Sequence, residues 1–293
     1  MTHSRLTRRG ALALAAVGLA GCASSQERDD DAPGDGTDAN EDATGDADDR
    51  DTPDRDIEPD WDEAAAFRTW LLDTDGNRRF DYTATFPEDA DPADGFPDFF
   101  GLETDDLEGH LMQSGTHVFF GSFDPDSIVD GVDAAEEYDL SGEYEGFYVV
   151  TRSPSDGEEL EIAVGQDAIV VGVDYERRID AHRGVGDRLE EVDPEFTHLF
   201  RELPHDTTVT GQYGSPTGAN VDVDEIILWG VSSETPMAET VTWVFVFERE
   251  ADLTDDALAQ LEGVSSDVED SSVDGRTATV VGAPPNIPDG SSE

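Results

Sequence analysis

The sequence contains no lysine. All 17 basic residues are arginine, and with 71 acidic residues the formal net charge is −54. A folded chain with such an excess repels itself in dilute buffer, but in about 1 M salt the screening length falls to roughly 3 Å and the repulsion becomes tolerable. The absence of lysine also removes long hydrocarbon stems that strong salt drives toward aggregation. The composition is therefore typical of a protein adapted to molar salt.

The charge excess is not confined to one tail, because residues 61–293 carry 55 acidic residues and 11 arginines. This balance argues against a nucleic-acid partner, since phosphate binding needs a basic patch that so few arginines do not supply. Every protein of a cell adapted to molar salt would carry a similar charge. The charge therefore indicates a habitat and does not identify a ligand.

Cysteine is almost absent as well, since Cys22 is the only one. An internal disulfide, a zinc ribbon and a redox pair are thereby excluded. The missing lysine excludes a Walker phosphate-binding loop, and the sequence has neither a His-Glu-x-x-His motif nor a Gly-x-Ser-x-Gly elbow. We therefore expect no cofactor, no metal and no catalytic site, and a protein that is not an enzyme.

The first 21 residues have the three parts of a secretory signal peptide. A positive start ends in Arg8 and Arg9, an apolar run covers residues 11–20, and a small residue, Gly21, follows. The apolar run is too short to span a bilayer as a helix. The arginine pair resembles a twin-arginine signal, which carries folded proteins across the membrane.

Leu19, Ala20, Gly21 and Cys22 resemble a lipobox. The resemblance implies cleavage before Cys22 and a diacylglyceryl thioether on its sulfur, and two acyl chains give stable anchoring. The alternative is a structural cysteine buried in an uncleaved helix. Together with the arginine pair, the motif resembles the surface lipoproteins that haloarchaea export by the twin-arginine route. That implies an extracytoplasmic protein anchored to the outer face of the cell membrane.

Residues 22–60 are rich in Asp, Gly, Ala, Thr, Ser and Pro and contain almost nothing apolar. Such a composition predicts a disordered acidic tether, with an average span of about 35 Å. We expect a second flexible segment, the tail formed by residues 284–293. Apolar periodicity is confined to the intervening residues 61–283, where the folded domain should lie.

Residues 61–283 predict an α+β domain, a mostly antiparallel sheet with helices packed on one face. In two places an aromatic-rich strand precedes an acid-capped helix and a closing strand, which favours an internal duplication with halves 61–174 and 175–283. Helices are predicted at 61–72, capped by Asp60, at 175–183, and after Asp124, Asp193 and Thr254. Strands are predicted at 79–86, 107–112, 116–123, 144–152, 160–164, 168–174, 207–213, 225–231, 240–248 and 276–282.

Residues 144–213 also resemble a group of exported bacterial and archaeal proteins without an assigned function. The resemblance rests on four short segments and implies a sheet-and-helix fold without naming an active site. The segments are Tyr144-Glu145-Gly146-Phe147-Tyr148, Ile169-Val170-Val171-Gly172, Asp193-Pro194-Glu195-Phe196 and Leu203-Pro204.

Two groups of residues invite a metal hypothesis. His198 and Glu202 are four residues apart on a predicted helix and His205 follows, but an exposed helical pair beside a turn histidine is the more common arrangement. The segment Asp73–Asn77 resembles the start of a calcium loop, yet the glycine spacing is wrong and Ala84 stands where a bidentate glutamate is needed. A hairpin turn is therefore the better interpretation.

Three functional hypotheses follow. The first is a non-catalytic module that binds a solute, polymer or protein partner at the cell surface, through a sheet face or the junction of the two halves. The second is a membrane-anchored extracytoplasmic hydrolase, and the third is a helper in the assembly of exported proteins. The anchor, the tether and the lack of a catalytic motif favour the first.

Overall fold

The computed structural model describes residues 57–87, 92–153, 159–172, 174–216, 221 and 223–285. The predicted signal peptide with Arg8, Arg9 and the lipobox Leu19–Cys22 lies outside the described residues, as do most of the tether and of the tail. Among the described residues, no helix combines the length and the apolar character needed to cross a bilayer.

The described residues form a single antiparallel sheet of 12 strands with helices, which confirms an α+β fold. The strand order is β11-β12-β10-β9-β8-β1-β2-β3-β7-β6-β5-β4. The strands are β1 (Phe80–Thr83), β2 (Leu107–Gln113), β3 (Thr116–Gly121), β4 (Tyr138–Tyr144), β5 (Phe147–Arg152), β6 (Leu160–Val164), β7 (Ala168–Val171), β8 (Thr208–Tyr213), β9 (Ile226–Ser233), β10 (Val241–Phe247), β11 (Asp267–Asp274) and β12 (Thr277–Ala283).

Five α-helices accompany the sheet in the described part of the chain: α1 (Pro125–Val132), α2 (Tyr175–His182), α3 (Leu189–Val192), α4 (Pro194–Glu202) and α5 (Asp255–Leu261). Three of the predicted caps are confirmed, since Asp124, Asp193 and Thr254 each accept a hydrogen bond from a backbone N–H in the first turn of α1, α4 and α5. The helix expected over 61–72 is wrong in extent. Only a 3-10 helix, Ala66–Trp70, forms there, and Ala65 rather than Asp60 precedes it.

Tight turns join neighbouring strands where the backbone adopts positive φ. The β2–β3 turn has φ of 53° at Ser114 and 76° at Gly115, and the β4–β5 turn has 50° at Glu145 and 90° at Gly146. Two successive positive φ values match the twist of an antiparallel pair. The chain therefore reverses within two residues at both places and keeps consecutive strands side by side.

Helices lie on both faces of the sheet, so the expectation that they lie on one face is not confirmed. The back face, which carries Phe80, Leu111 and Val244, is covered by the Ala66–Trp70 helix and by α2, α3 and α4. The front face has two separate apolar clusters. One lies under α1 and contains Phe119 and Ile128, and the other lies under α5 and contains Trp229, Phe245 and Leu261.

The back-face helices are held by buried arginines as well as by apolar contacts. Arg68 forms a bidentate pair with Glu190 at 2.8 and 2.5 Å, and Arg276 contacts Glu195 at 2.6 Å. Arg178 is fully buried and donates to the carbonyls of Trp70 and Gln113, both at 2.9 Å. Burial lowers the pKa of Arg178 to about 10, so it stays charged at neutral pH.

Candidate functional site

The centre of the front face, between the two apolar clusters, is polar. We call this area the central strip. It is built from alternate residues of the central strands, because every second side chain of a strand points to the same face. Asp81 of β1 is opposite Met112 and Thr210, and Thr83 is opposite His110 and Thr208. The strip consists of Arg79, Asp81, Thr83, His110, Met112, His117, Thr208, Thr210 and Gln212.

Asp81 is the centre of a hydrogen-bond network in the strip. Its carboxylate accepts from Arg79 Nε at 2.9 Å and Nη2 at 3.0 Å, and from Thr210 Oγ1 at 2.8 Å. Gln212 Oε1 accepts from Arg79 Nη1 at 3.4 Å. The hydroxyls of Thr83 and Thr208 lie 3.0 Å apart across the β1–β8 pair. These partners fix the side chains that a ligand on this face would meet.

Two histidines border the network. His110 Nε2 lies 2.9 Å from His117 Nδ1, and the two rings are nearly parallel, with centroids 5.1 Å apart. His110 also stacks on Phe119 at 4.6 Å. Burial lowers the pKa of His110 to about 3, the neighbouring His117 adds to the effect and Asp81 opposes it. Burial, and then Arg178, lower the pKa of His117. Both rings are therefore neutral at neutral pH.

The strip is narrow and its borders are apolar. Its floor crosses four neighbouring strands, β8, β1, β2 and β3, and with strands about 4.8 Å apart it is about 14 Å wide. Phe119 borders it on the α1 side, and Trp229 and Val231 border it on the α5 side. The indole N–H of Trp229 is buried without a hydrogen-bond acceptor. Carboxylate, guanidinium, hydroxyl and imidazole groups thus lie partly exposed together, above the buried amide of Gln212, which suits a polar ligand bound through hydrogen bonds.

His198 and Glu202 lie on α4, the arrangement that the sequence analysis favoured over a metal site. His198 Nε2 lies 2.7 Å from the hydroxyl of Thr277, and burial together with Arg276 lowers the pKa of His198 to about 4. Burial and Asp274 raise the pKa of Glu202. Among the described residues, no set of three or more His, Cys, Asp or Glu side chains is placed to hold a metal ion. His198 instead connects α4 to β12.

The segment Asp73–Asn77 forms a turn, as the sequence predicts, although it joins the 3-10 helix to β1 rather than two strands of a hairpin. Gly76 has φ of 80°. Asn77 Oδ1 accepts from the backbone N–H of Arg79 at 3.2 Å, and Asp73 pairs with Arg78 at 2.6 Å. The side chains of Asp73 and Asn77 therefore support the entry into β1.

Sequence reasoning missed the central strip. The signal is present as two short alternations of polar residues, Arg79-x-Asp81-x-Thr83 and Thr208-x-Thr210-x-Gln212. Their meaning depends on the pairing of β1 with β8, which brings Thr83 and Thr208 together across 125 positions. Neither alternation alone indicates that the two lie on the same face of the sheet.

No protein-family model and no curated protein matches the chain. Among solved structures, crystal form IV of TP0453 is similar, with 7% sequence identity over 74% of this chain and 92% of that chain and a TM-score of 0.41. At this identity and TM-score, the similarity supports no inference about function.

Proposed function

We propose that the chain is a non-catalytic binding or interaction module, adapted to high salt and held at the outer face of the cell membrane by a lipid on Cys22. The central strip is its ligand-contacting surface. The signal peptide, the lipobox and the acidic tether support the location, and the geometry of the front face supports the binding role.

The observation that carries the proposal is the polar centre of an otherwise apolar front face. On each side of the strip, apolar side chains are buried under a helix, α1 or α5. A third apolar cluster under a helix, placed over β1, β2 and β8, would bury further apolar area. Each Å² of that area would stabilise the fold by about 25 cal/mol. The chain instead places an ordered network around Asp81 there. A surface that forgoes this stabilisation and keeps fixed polar groups suits recognition.

The internal duplication is part of the proposal, and the connectivity supports it. Strands β1–β3 form a meander, α1 follows, and the chain returns to pair β7 with β3. Strands β8–β10 form a second meander, α5 follows, and the chain returns to pair β12 with β10. The first strands of the two meanders, β1 and β8, pair antiparallel. An approximate two-fold axis between them would relate the halves, and it would pass through the part of the central strip that β1 and β8 form.

The contacts made where the tether meets the domain support a strip that is accessible in the anchored protein. Arg201 of α4 donates to the carbonyl of Glu58 at 2.9 Å, and the guanidinium of Arg188 lies 4.3 Å from the ring centroid of Trp61. Both contacts are made with the back-face helices. The tether thus joins the domain on the side opposite the strip, which leaves the strip accessible when the protein is anchored.

An affinity experiment tests the binding role. The mature chain with Cys22→Ser is immobilised in molar KCl and exposed to an envelope extract that contains surface polysaccharides and proteins. The double variant Asp81→Asn/Thr210→Val serves as the test, and Asp139→Asn on the exposed edge strand β4 serves as the matched control. We expect a component that the parent and the control retain and the double variant loses. Equal retention by all three chains, or no retained component, contradicts the proposal.

A further inference from the structure

The central strip carries no net charge, although the chain as a whole has a formal net charge of −54. Its only acidic and its only basic side chain, Asp81 and Arg79, are bound to each other at 2.9 and 3.0 Å. Burial lowers the pKa of both His110 and His117, so neither ring is charged at neutral pH. The other residues of the strip have no ionisable group. The strip is therefore a balanced surface on a strongly acidic protein.

A charged ligand would find no free counter-charge on the strip. An anion would have to draw Arg79 away from Asp81, and a cation would have to draw Asp81 away from Arg79. Attraction over a longer distance gives little help, since the screening length in about 1 M salt is roughly 3 Å. Hydrogen bonds between uncharged groups do not depend on this screening. The strip therefore favours an uncharged ligand.

Arg79 and Asp81 keep hydrogen-bonding capacity that their own network does not use. A carboxylate accepts about four hydrogen bonds, and Asp81 receives three from the described residues, two from Arg79 and one from Thr210. A guanidinium has about five N–H donors, and Arg79 directs three of them to Asp81 and Gln212. The side chains of Arg79 and Asp81 are 30% and 26% exposed. A donor and an acceptor are thus available to a ligand side by side.

The histidine pair adds a further donor and a further acceptor, whichever tautomer is present. Each neutral imidazole carries one N–H, and one of these lies between His110 Nε2 and His117 Nδ1, which are 2.9 Å apart. Of the other two ring nitrogens, one therefore carries a proton and the other does not. Thr83 donates to the carbonyl of Thr85 at 2.7 Å, so the hydroxyl of Thr208 donates to Thr83 and its oxygen can accept. Donors and acceptors are thus mixed across the strip.

Hydroxyl groups match this mixture, because each donates one hydrogen bond and also accepts. An extended peptide can add to the edge of a sheet, but β1 is paired on both sides, with β2 and β8, and offers only side chains. From residue 79 to residue 83 the strip runs about 14 Å along β1, which gives room for several hydroxyls. We propose, on the basis of the binding role proposed above, that the strip binds an uncharged sugar chain whose hydroxyls bond to Arg79, Asp81 and Thr208.

Three trisaccharides separate the effect of charge from that of hydroxyl groups. Maltotriose and galactotriose are uncharged, and trigalacturonate resembles galactotriose with carboxylates in place of the hydroxymethyl groups. Each is titrated into the mature Cys22→Ser chain in about 1 M and about 3 M KCl, and the amide signals of Asp81 and Thr210 are followed by NMR. We expect an uncharged sugar to bind at millimolar concentration, to shift both amides and to change in affinity by less than about twofold between the two salt concentrations. Trigalacturonate should bind about tenfold more weakly or not at all.

Variants locate the site and test the role of its balanced charge. Asp81→Asn/Thr210→Val should weaken binding of the uncharged sugar about tenfold, whereas Asp139→Asn on the exposed strand β4 should bind as the parent does. Asp81→Asn alone leaves Arg79 without its counter-charge, so the preference for uncharged sugar over trigalacturonate should fall about threefold or more. A variant that merely disturbs the fold would weaken both sugars alike. Circular dichroism confirms that all variants remain folded.

Three results would overturn the proposal: no binding of either uncharged trisaccharide, binding of trigalacturonate at least as tight as that of the uncharged sugars, or unchanged sugar binding by the folded Asp81→Asn/Thr210→Val variant. In each case the affinity experiment on the envelope extract can still succeed, because a protein or a charged polymer that depends on the strip would satisfy the proposed function. Failure of the sugar proposal is therefore distinguishable from failure of the proposed function.

Discussion

Arg68 and Glu190 lie 122 positions apart in the chain, yet their side chains form a bidentate ion pair with distances of 2.8 and 2.5 Å. The Arg68 side chain is 9% exposed and that of Glu190 is fully buried. The pair joins the Ala66–Trp70 helix to α3 on the back face. Each charge has lost its water and depends on the other for compensation.

Removal of one partner of this pair should be costly. Glu190→Gln leaves the Arg68 guanidinium buried without a counter-charge, and we expect the free energy of unfolding to fall by about 3 kcal/mol or more. The double variant Arg68→Met/Glu190→Met removes both charges and should be more stable than Glu190→Gln. Urea unfolding in molar KCl measures both. A double variant less stable than the single one would contradict this account of the pair.

The buried His110 should make stability depend on pH. Its ordinary pKa of 6.5 is lowered to about 3 in the folded state, chiefly by burial. Below pH 6.5 the unfolded chain binds a proton that the folded chain does not. The stability that this group contributes is therefore complete above pH 6.5 and is lost as the pH falls toward 3.

The matched comparison for this effect is His110→Leu, which cannot titrate at that position. As the pH falls below about 6, the unfolding free energy of the parent should decline relative to the variant by about 1 kcal/mol per pH unit. When the unfolding free energy of the variant is subtracted from that of the parent, the contribution of the many carboxylates that both chains share cancels. Parallel profiles for parent and variant over this range would show that His110 is not protected from protonation.

The excess of acidic residues predicts that the stability of the fold depends on the salt concentration. When KCl is dialysed to about 0.1 M, the screening length rises to roughly 10 Å and repulsion between carboxylates returns. We expect the far-ultraviolet circular dichroism of the sheet to be lost and to recover when molar KCl is restored. An uncharged osmolyte at the same osmolality serves as the control and should not restore the fold. A spectrum unchanged at low salt would mean that the acid excess does not limit stability.

Gly211 should be intolerant of a side chain for steric reasons. A Cβ at this position would lie 2.7 Å from the ring of Phe80, directly across the β1–β8 pair. Gly211→Ala should therefore lower the free energy of unfolding by about 1–3 kcal/mol through overpacking. In a Phe80→Leu background the same change should cost less, because the shorter side chain leaves room. Equal costs in the two backgrounds, measured by urea unfolding, would rule out this contact as the cause.

Strands with an apolar face were predictable from sequence, and strands without one were not. Alternation identified β2, β6 and β10 to within about two residues. Strands β4 and β11, the two edges of the sheet, were not predicted, and their residues are mostly exposed. Polar edge strands protect a sheet from pairing with other chains. The polar character that suits these strands to an edge also removes the alternation of apolar and polar residues by which strands are recognised in a sequence.

The helix predicted over 61–72 shows how tertiary contacts override periodicity. Trp61, Phe67 and Trp70 are spaced as on a helix, but Trp61 instead lies beside the guanidinium groups of Arg68 and Arg188. The carbonyl of Trp70 accepts from the buried Arg178, and the carbonyl of Leu71 accepts from the N–H of Leu189. Both carbonyls lie in the last turn of the predicted helix, where no intrahelical donor is available, so donors from α2 and α3 satisfy them instead. The partners lie more than a hundred residues away in sequence and cannot be inferred from a local window.

The central strip depends on a contact between distant segments, the β1–β8 pairing, which explains why it was not found from sequence. By contrast, the residues that resemble a signal peptide and a lipobox are contiguous at the amino terminus, so the prediction of a location anchored to the outer face of the membrane needs no tertiary contact. The helix that carries His198 was predicted from sequence, but its contact with Thr277 depends on a residue 79 positions away.

The lipid anchor on Cys22 is the claim on which the proposed location and role of the domain depend. Mass spectrometry of the amino-terminal peptide from the native, membrane-derived protein tests it directly. The account predicts a chain that begins at Cys22 and carries a diacylglyceryl group on its sulfur. A native protein that retains residues 1–21 and has an unmodified Cys22 thiol would contradict it.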